Sequence, residues 1–279
     1  MLHPKFDPNW PDDWKSSSAY DLEEVFGQVR YYGYVYAYAR RLRATMDMVR
    51  RVAPPAGTIL DVAAAQGNFS LQLAELGYRV TWNDLRAGLA DYVRLKHERG
   101  EIQFAPGNVF DLGYEGAFDV LLITEIIEHV AHPDDFLRKI GQLVKPGGHV
   151  IMTTPNGGYL LNRLPKFSDC ADPSQFEAVQ FAPNSDGHIF LLHEDEIAGL
   201  ARKAGLELRQ IKLYTNPLTN GHLKTEALLK VLPRTLVTGL DAITAQLPGP
   251  LRRKLHTGMA VLFSRPMKSE DILPCPHTK

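Results

Sequence analysis

The residues of this chain best suited to chemistry lie in one short run, Thr124-Glu125-Ile126-Ile127-Glu128-His129-Val130. Two carboxylates and an imidazole this close can supply three ligands to a divalent ion. Oxygen donors favour Mg²⁺ or Mn²⁺, and the imidazole admits Zn²⁺. A further candidate ligand, His188, stands in Asp186-Gly187-His188-Ile189-Phe190. Other roles fit the same residues. His129 can serve alone as a general base, because imidazole titrates near neutrality. Glu125 can touch a cofactor or cap a helix, and His188 can be a satisfied loop histidine.

A second constellation begins at Ile59-Leu60-Asp61-Val62-Ala63-Ala64-Ala65-Gln66-Gly67-Asn68-Phe69. It reads as a buried strand, a tight turn of small residues and the start of a helix. Such a turn lets a nucleoside lie against bare backbone. Only Gly67 remains of the glycines expected there, and Ala63 and Ala65 occupy glycine-like positions. Asp84 ends the next strand and can take ribose hydroxyls. Asn108, in Gly107-Asn108-Val109, follows the third; its amide can meet an adenine edge while Val109 packs on the ring. Alone, the turn could be a packing joint and Asp84 a helix cap. In order, each at the carboxyl end of a strand, the three mark the place where doubly wound sheets bind ligands.

The elements that must position these groups alternate. Strands are expected at 58–62, 79–82, 102–105, 118–123, 149–153, 206–213 and 259–264, and helices at 68–76, 87–99, 133–143 and 194–204. Lys145-Pro146-Gly147-Gly148 stops the third of those helices. This rhythm predicts an α/β fold, a mainly parallel sheet with helices on both faces. Residues 1–56 read as a flexible lead (1–18) and a tyrosine-rich helical segment, 57–265 as the main domain, and 266–279 as a flexible tail. Segments 156–190 and 217–257 break the rhythm as insertions.

Residues 58–155, and more loosely those to 213, resemble the class I S-adenosylmethionine-dependent methyltransferases. Asp61-Val62-Ala63-Ala64-Ala65-Gln66-Gly67 aligns with the family's Asp-x-Gly-x-Gly-x-Gly turn, Asp84 with its ribose-binding acid, and Lys145–Gly148 with the turn before its fifth strand. Asn108 replaces the adenine-side aspartate common in the family. The resemblance implies a Rossmann-like, doubly wound seven-stranded sheet of order 3-2-1-4-5-7-6, with the last strand antiparallel. It implies S-adenosylmethionine as cofactor, held by Asp61, Ala63, Ala65, Gly67, Asp84, Asn108, Val109, Glu125 and, from a lid over the cofactor, Tyr32. It also places Glu128, His129 and His188 at the reaction. The Glu-x-x-Glu-His pattern with a later His is similar to ubiquinone-pathway O-methyltransferases and to RNA 3′-terminal 2′-O-methyltransferases. In both, the resemblance implies a metal that lowers the pKa of acceptor hydroxyls. S-adenosylmethionine has no phosphate, so the alanines harm it less than they would a pyrophosphate cofactor.

Composition narrows the partners. The net charge of −1 argues against nucleic acid and so against the RNA alternative. It leaves a small-molecule acceptor, preferably a hydroxyl; N- or C-methylation and a non-catalytic cofactor-binding module remain the other readings. Cys170 and Cys275 fit no metal or redox spacing and suit a reducing, cytoplasmic setting. No apolar run approaches the roughly 20 residues of a membrane span. Residues 222–256 combine leucines with Lys224, Lys230, Arg234 and Arg252-Arg253-Lys254. Such an element can cap the site, meet an anionic substrate, touch a membrane surface or pair subunits, so monomer and homodimer both stay open. The tyrosines at 31–38 fit a lid that shuts out water, or plain core packing on one helix face.

Overall fold

The computed structural model describes residues 1–180 and 187–267. Asp186 and all but the first two residues of the expected tail lie outside them. In chain order the elements are α1 (Asp12–Glu24), α2 (Tyr32–Val52), β1 (Thr58–Val62), α3 (Asn68–Glu75), β2 (Arg79–Trp82), α4 (Leu89–Lys96), β3 (Glu101–Phe104), β4 (Phe118–Thr124) and α5 (Pro133–Leu143). There follow β5 (Val144–Pro155), α6 (Glu194–Lys203), β6 (Glu207–Tyr214), α7 (Glu226–Val231), α8 (Arg234–Ala245), α9 (Gly249–Leu255) and β7 (Gly258–Ser264).

The strands form one seven-stranded sheet of order β3-β2-β1-β4-β5-β7-β6, as the resemblance implied. Strands β1 to β5 pair in parallel, and β7 runs antiparallel to both neighbours. The strand period places alternate side chains on opposite faces. On β4, Leu121 and Ile123 pack with Phe136, Leu137 and Ile140 of α5. Val120 and Leu122 pack on the other face with Met48 and Val49 of α2 and Leu73 of α3. That double burial holds the carboxyl ends of β1, β2 and β4 in fixed register.

Two expectations give way. Strand β5 begins at Val144, not after the Lys-Pro-Gly-Gly turn, because Val144 already pairs with Phe118 before a register irregularity. Residues 1–18 are anchored rather than a flexible lead. Helix α1 starts at Asp12, and Trp10 and Trp14 pack against Tyr92 of α4. Behind them Asp21, fully buried, accepts from Lys96 Nζ at 2.7 Å, Tyr92 Oη at 2.7 Å and Asn68 Nδ2 at 2.8 Å. A buried carboxylate and ammonium are tolerated because each satisfies the other. The pair staples α1 over the β1–α3 turn. The second insertion becomes helices α7 to α9, with Pro233 and Pro248 at the N-caps of the last two. Glu226 of α7 accepts from the backbone N–H of Tyr32 and Gly33, and Asp241 of α8 accepts from Arg40 Nε at 2.7 Å. These contacts dock the insertion on α2.

Candidate active site

The β1–α3 turn adopts the backbone that its alanines disfavour. Ala63 and Ala65 have φ of 49° and 46°, and Gly67 has 71°. Each left-handed alanine costs on the order of 1 kcal/mol. Gly67 is required sterically, since a Cβ there would come within 2.8 Å of Val93 Cγ1. Neighbours hold the strained turn in place. Ala64 N–H donates to the Asn83 carbonyl at 2.8 Å, Ala65 N–H to Asp84 Oδ2 at 2.9 Å, and Trp82 Nε1 to the Ala65 carbonyl at 3.1 Å. Asp84 therefore braces the turn as well as standing at the end of β2. Arg86 grips the same carboxylate through Nε at 3.0 Å and Nη2 at 3.1 Å. Asp61 lies behind the turn; its Oδ2 accepts from Ser70 Oγ at 2.6 Å, and burial pushes its pKa up to about 7.

Three cavities run in series past these groups. The first, about 550 Å³, is lined by Asn83, Gly107, Asn108, Val109 and Phe110, among others, and reaches Ala63. Asn108 also caps the next turn, accepting from Phe110 N–H at 3.3 Å. The second, about 340 Å³, continues from Ala63 along Ala64, Ala65 and Gln66 to Tyr34, Tyr38, Arg41 and Glu125. Those last four also line the third, about 550 Å³, which includes Tyr159, Arg163, His188 and His222. An elongated trough along the strand ends thus opens into a separate chamber, with Ala63 in the trough's middle. Helix α1 lies along the trough: Glu24 accepts from Gln66 Nε2 at 3.0 Å, Asn68 Nδ2 at 2.8 Å and the Tyr34 hydroxyl.

At the end of β4, Glu125 takes a left-handed φ of 54° and Arg41 Nη1 lies 3.4 Å from its Oε2. Strain of this kind collects at functional positions. Glu128 is buried; its Oε2 accepts from Thr154 Oγ1 at 3.1 Å, and its Oε1 has no partner among the described residues. Burial, and then the nearby Glu125 charge, raise its pKa well above the usual carboxylate range. Ile189 N–H donates to the Glu128 carbonyl at 2.7 Å, which delivers His188 to this spot. The His129 and His188 rings lie edge to face with centroids 5.0 Å apart. One ligand atom from each of Glu128, His129 and His188 lies within 4.8 Å of the others.

Of the residues singled out in the sequence, Ala63, Ala65, Asn108, Val109 and Glu125 line the trough and His188 lines the chamber. Asp61, Gly67 and Asp84 support the turn from behind. Glu125 sits with Arg41, apart from the group formed by Glu128, His129 and His188. Tyr32 starts α2 against Glu226, and the tyrosines of the N-terminal segment that line the cavities are Tyr20, Tyr34 and Tyr38. Arg41 and Glu24 had no part in the sequence reading. Tyr34, Tyr38 and Arg41 fall at i, i+4 and i+7, so the tyrosine face of α2 pointed to that arginine. Insertion 156–190 divides its work: Tyr159 and Arg163 line the chamber, while Glu177 and Gln180 line the Asn108 end of the trough.

Comparison with known proteins agrees with this layout. The methyltransferase domain family matches residues 34–211. A ubiquinone biosynthesis O-methyltransferase of Nitrosococcus oceani is 35% identical over 182 residues, covering 62% of this chain and 74% of that protein. One from Xanthomonas axonopodis pv. citri is 31% identical over 166 residues, covering 58% and 67%. Among solved structures, an S-adenosylmethionine dependent methyltransferase from Mesorhizobium loti superimposes with a TM-score of 0.51 at 17% identity, covering 80% and 98% of the two chains. The [4+2]-cyclase SpnF does so with 0.52 at 16% identity, covering 81% of each. The structural likenesses speak for the fold alone, and the sequence matches for the family. Among the described residues no helix is long and apolar enough to cross a membrane. With its strand-end trough and a match over most of its length, the chain belongs to the methyltransferase domain family and is an S-adenosylmethionine-dependent methyltransferase.

Proposed function

We propose that this enzyme methylates a hydroxyl oxygen of a small molecule bearing vicinal oxygens, assisted by a divalent ion on Glu128, His129 and His188. The observation that carries this reading is the convergence of their ligand atoms within 4.8 Å of one another. Donors on one Mg²⁺-sized ion stand up to about 4.2 Å apart, so small side-chain adjustments suffice. The donor set fits: Glu128 Oε1 is buried and unpartnered among the described residues, and two imidazoles flank it. When bound, such an ion supplies Lewis acidity that lowers the pKa of an acceptor hydroxyl.

The chain's own residues supply the rest. The trough seats S-adenosylmethionine with its nucleoside towards Asn108 and its methionine end past Ala63. Asp84, directly behind the turn, takes ribose hydroxyls. Tyr34 and Tyr38 of α2 wall the junction and limit water there. Methyl transfer is in-line attack on a sulfonium, so catalysis is mainly positioning plus removal of the acceptor proton. His129 is the group to receive that proton if no ion takes part. The names of the relatives, O-methyltransferases, support oxygen as the acceptor atom.

A manganese(II) titration followed by electron paramagnetic resonance tests the metal: one site in the wild type, lost in His188→Ala. Turnover of a catechol should stop with EDTA and return with Mg²⁺, Mn²⁺ or Zn²⁺. Full activity in excess EDTA would remove the ion and leave His129 as the base.

Exposed Leu228, Val231, Leu236, Ile243 and Leu251 lie among the basic residues of α7 to α9. They support peripheral contact with an anionic lipid surface. Val231→Asp with Ile243→Asp should abolish co-sedimentation with anionic vesicles; unchanged co-sedimentation would contradict it.

A further inference from the structure

The trough and the Glu128–His129–His188 group leave part of the third cavity unexplained. In the portion not shared with the trough, Arg163, Tyr159, Thr215 and His222 line it. Among the described lining residues Glu125 is the only carboxylate, and it is paired with Arg41. Arg163 is exposed at the rim of the cavity, and its guanidinium has no ion pair or hydrogen bond among the described residues, so it is free to meet a ligand. Five buried polar atoms on this cavity also lack partners among those residues: Tyr38 Oη, Arg41 Nε, Glu125 Oε1, Tyr159 Oη and Thr215 Oγ1. Buried polar groups are rarely left unpaired in a folded protein, and those at a cavity can pair with water or with a ligand that displaces it. The three hydroxyls and Arg41 Nε can donate a hydrogen bond, Arg41 Nε only so, while Glu125 Oε1, on the side of the cavity shared with the trough, accepts. Burial holds the pKa of His222 down, so it adds no second fixed charge to compete.

Resting on the methyltransferase reading above, we propose that the acceptor carries an oxyanion, a carboxylate or a phosphate, bound by Arg163. Tyr159 and Thr215 hydroxyls donate to the same group. The planar guanidinium matches either anion with two parallel hydrogen bonds. Anchoring that end turns the acceptor's hydroxyls towards Glu125 and His188, where the trough enters the cavity. Arg163 is thus a specificity-determining residue rather than one that touches the reacting atoms.

The test is calorimetric, on the full chain saturated with S-adenosylhomocysteine. One arm compares 3,4-dihydroxybenzoate with 4-methylcatechol, and the other ribose 5-phosphate with ribose. At least one anionic probe should bind about 10-fold tighter than its neutral counterpart. The arm that shows the advantage identifies the anion. Arg163→Ala should bring that ratio to within about 2-fold while leaving S-adenosylhomocysteine affinity unchanged. No advantage in either arm, or one that survives Arg163→Ala, overturns the proposal. Failure of the wild type to bind S-adenosylhomocysteine would instead overturn the assignment of the trough, and it is read in a separate titration.

Discussion

Arg41 Nη1 lies 3.4 Å from Glu125 Oε2, and this ion pair stands where the strand-end trough meets the chamber. One partner comes from α2 and the other from the strained residue ending β4. The pair fixes α2 against the sheet where the second and third cavities meet. Both side chains are mostly buried, at 21% and 29% exposure, so neither charge is well solvated without the other.

Glu125→Gln leaves the Arg41 charge at the junction without its counter-charge. Because some solvent reaches the pair, the expected cost is about 1–3 kcal/mol, below that of breaking a dry ion pair. Urea denaturation should show that loss, and kcat should fall along with it. A variant as stable and as active as the wild type would show that the pair is incidental.

The turn makes a sharper demand at Ala63. Ala63→Gly relieves the left-handed strain at the expense of backbone entropy, so stability should stay within about 1 kcal/mol and cofactor affinity should hold or improve. Ala63→Leu should abolish cofactor binding while the chain still melts cooperatively. Normal binding by that variant would mean that the cofactor does not pass Ala63.

Asp61 predicts a pH dependence of stability. Its folded pKa is raised to about 7 by burial, against an unfolded value of about 3.9. The stability from its protonated form is fully present below about pH 4 and is lost as pH rises through about 7. Asp61→Asn should stabilise the protein by on the order of 1–3 kcal/mol at pH 8 and little at pH 4. Parallel stability curves for the two proteins from pH 4 to 8 would refute this.

The buried Asp21–Lys96 pair secures α1. Asp21→Asn strands an ammonium that is fully inaccessible to solvent, at an expected cost of about 3–5 kcal/mol. Hydrogen exchange should then speed up across 12–24 and along the Glu24–Gln66 edge of the trough. Unchanged protection would mean that packing of Trp10 and Trp14 is sufficient.

The sheet was legible because each strand is a short apolar run and each crossover helix has one apolar face, signals that a single window of sequence contains. The placement of the turn at 63–67, Asp84 and Asn108 together at the carboxyl ends of β1, β2 and β3 was legible because each follows a strand of the parallel sheet. The anchoring of 1–18 was not, since Asp21 meets Lys96 only after 75 residues of chain have folded back. Tyr32 and Tyr34 could not be told apart by composition; the start of α2 and the Glu226 contact decide which one faces the trough. The grip of Arg86 on Asp84 was invisible for a further reason. It depends on the side chain folding back over two residues, which spacing alone does not dictate.

That grip bears on the proposed cofactor site, where ribose hydroxyls would share the Asp84 carboxylate with Arg86. Arg86→Ala should leave Asp84 more available and tighten cofactor binding about 2- to 5-fold in calorimetry, since the arginine is half exposed and its pairing weak. Weaker binding by the variant would make Arg86 a direct contact of the ligand.

The most direct test is a calorimetric titration of S-adenosylmethionine into the wild type and Asp84→Ala. The wild type should bind with a micromolar Kd. The variant should lose about 100-fold, the worth of two hydrogen bonds to a carboxylate together with its brace on Ala65. No heat from the wild type at millimolar ligand, or equal affinity in the two proteins, would contradict the placement of the cofactor along the β1–α3 turn.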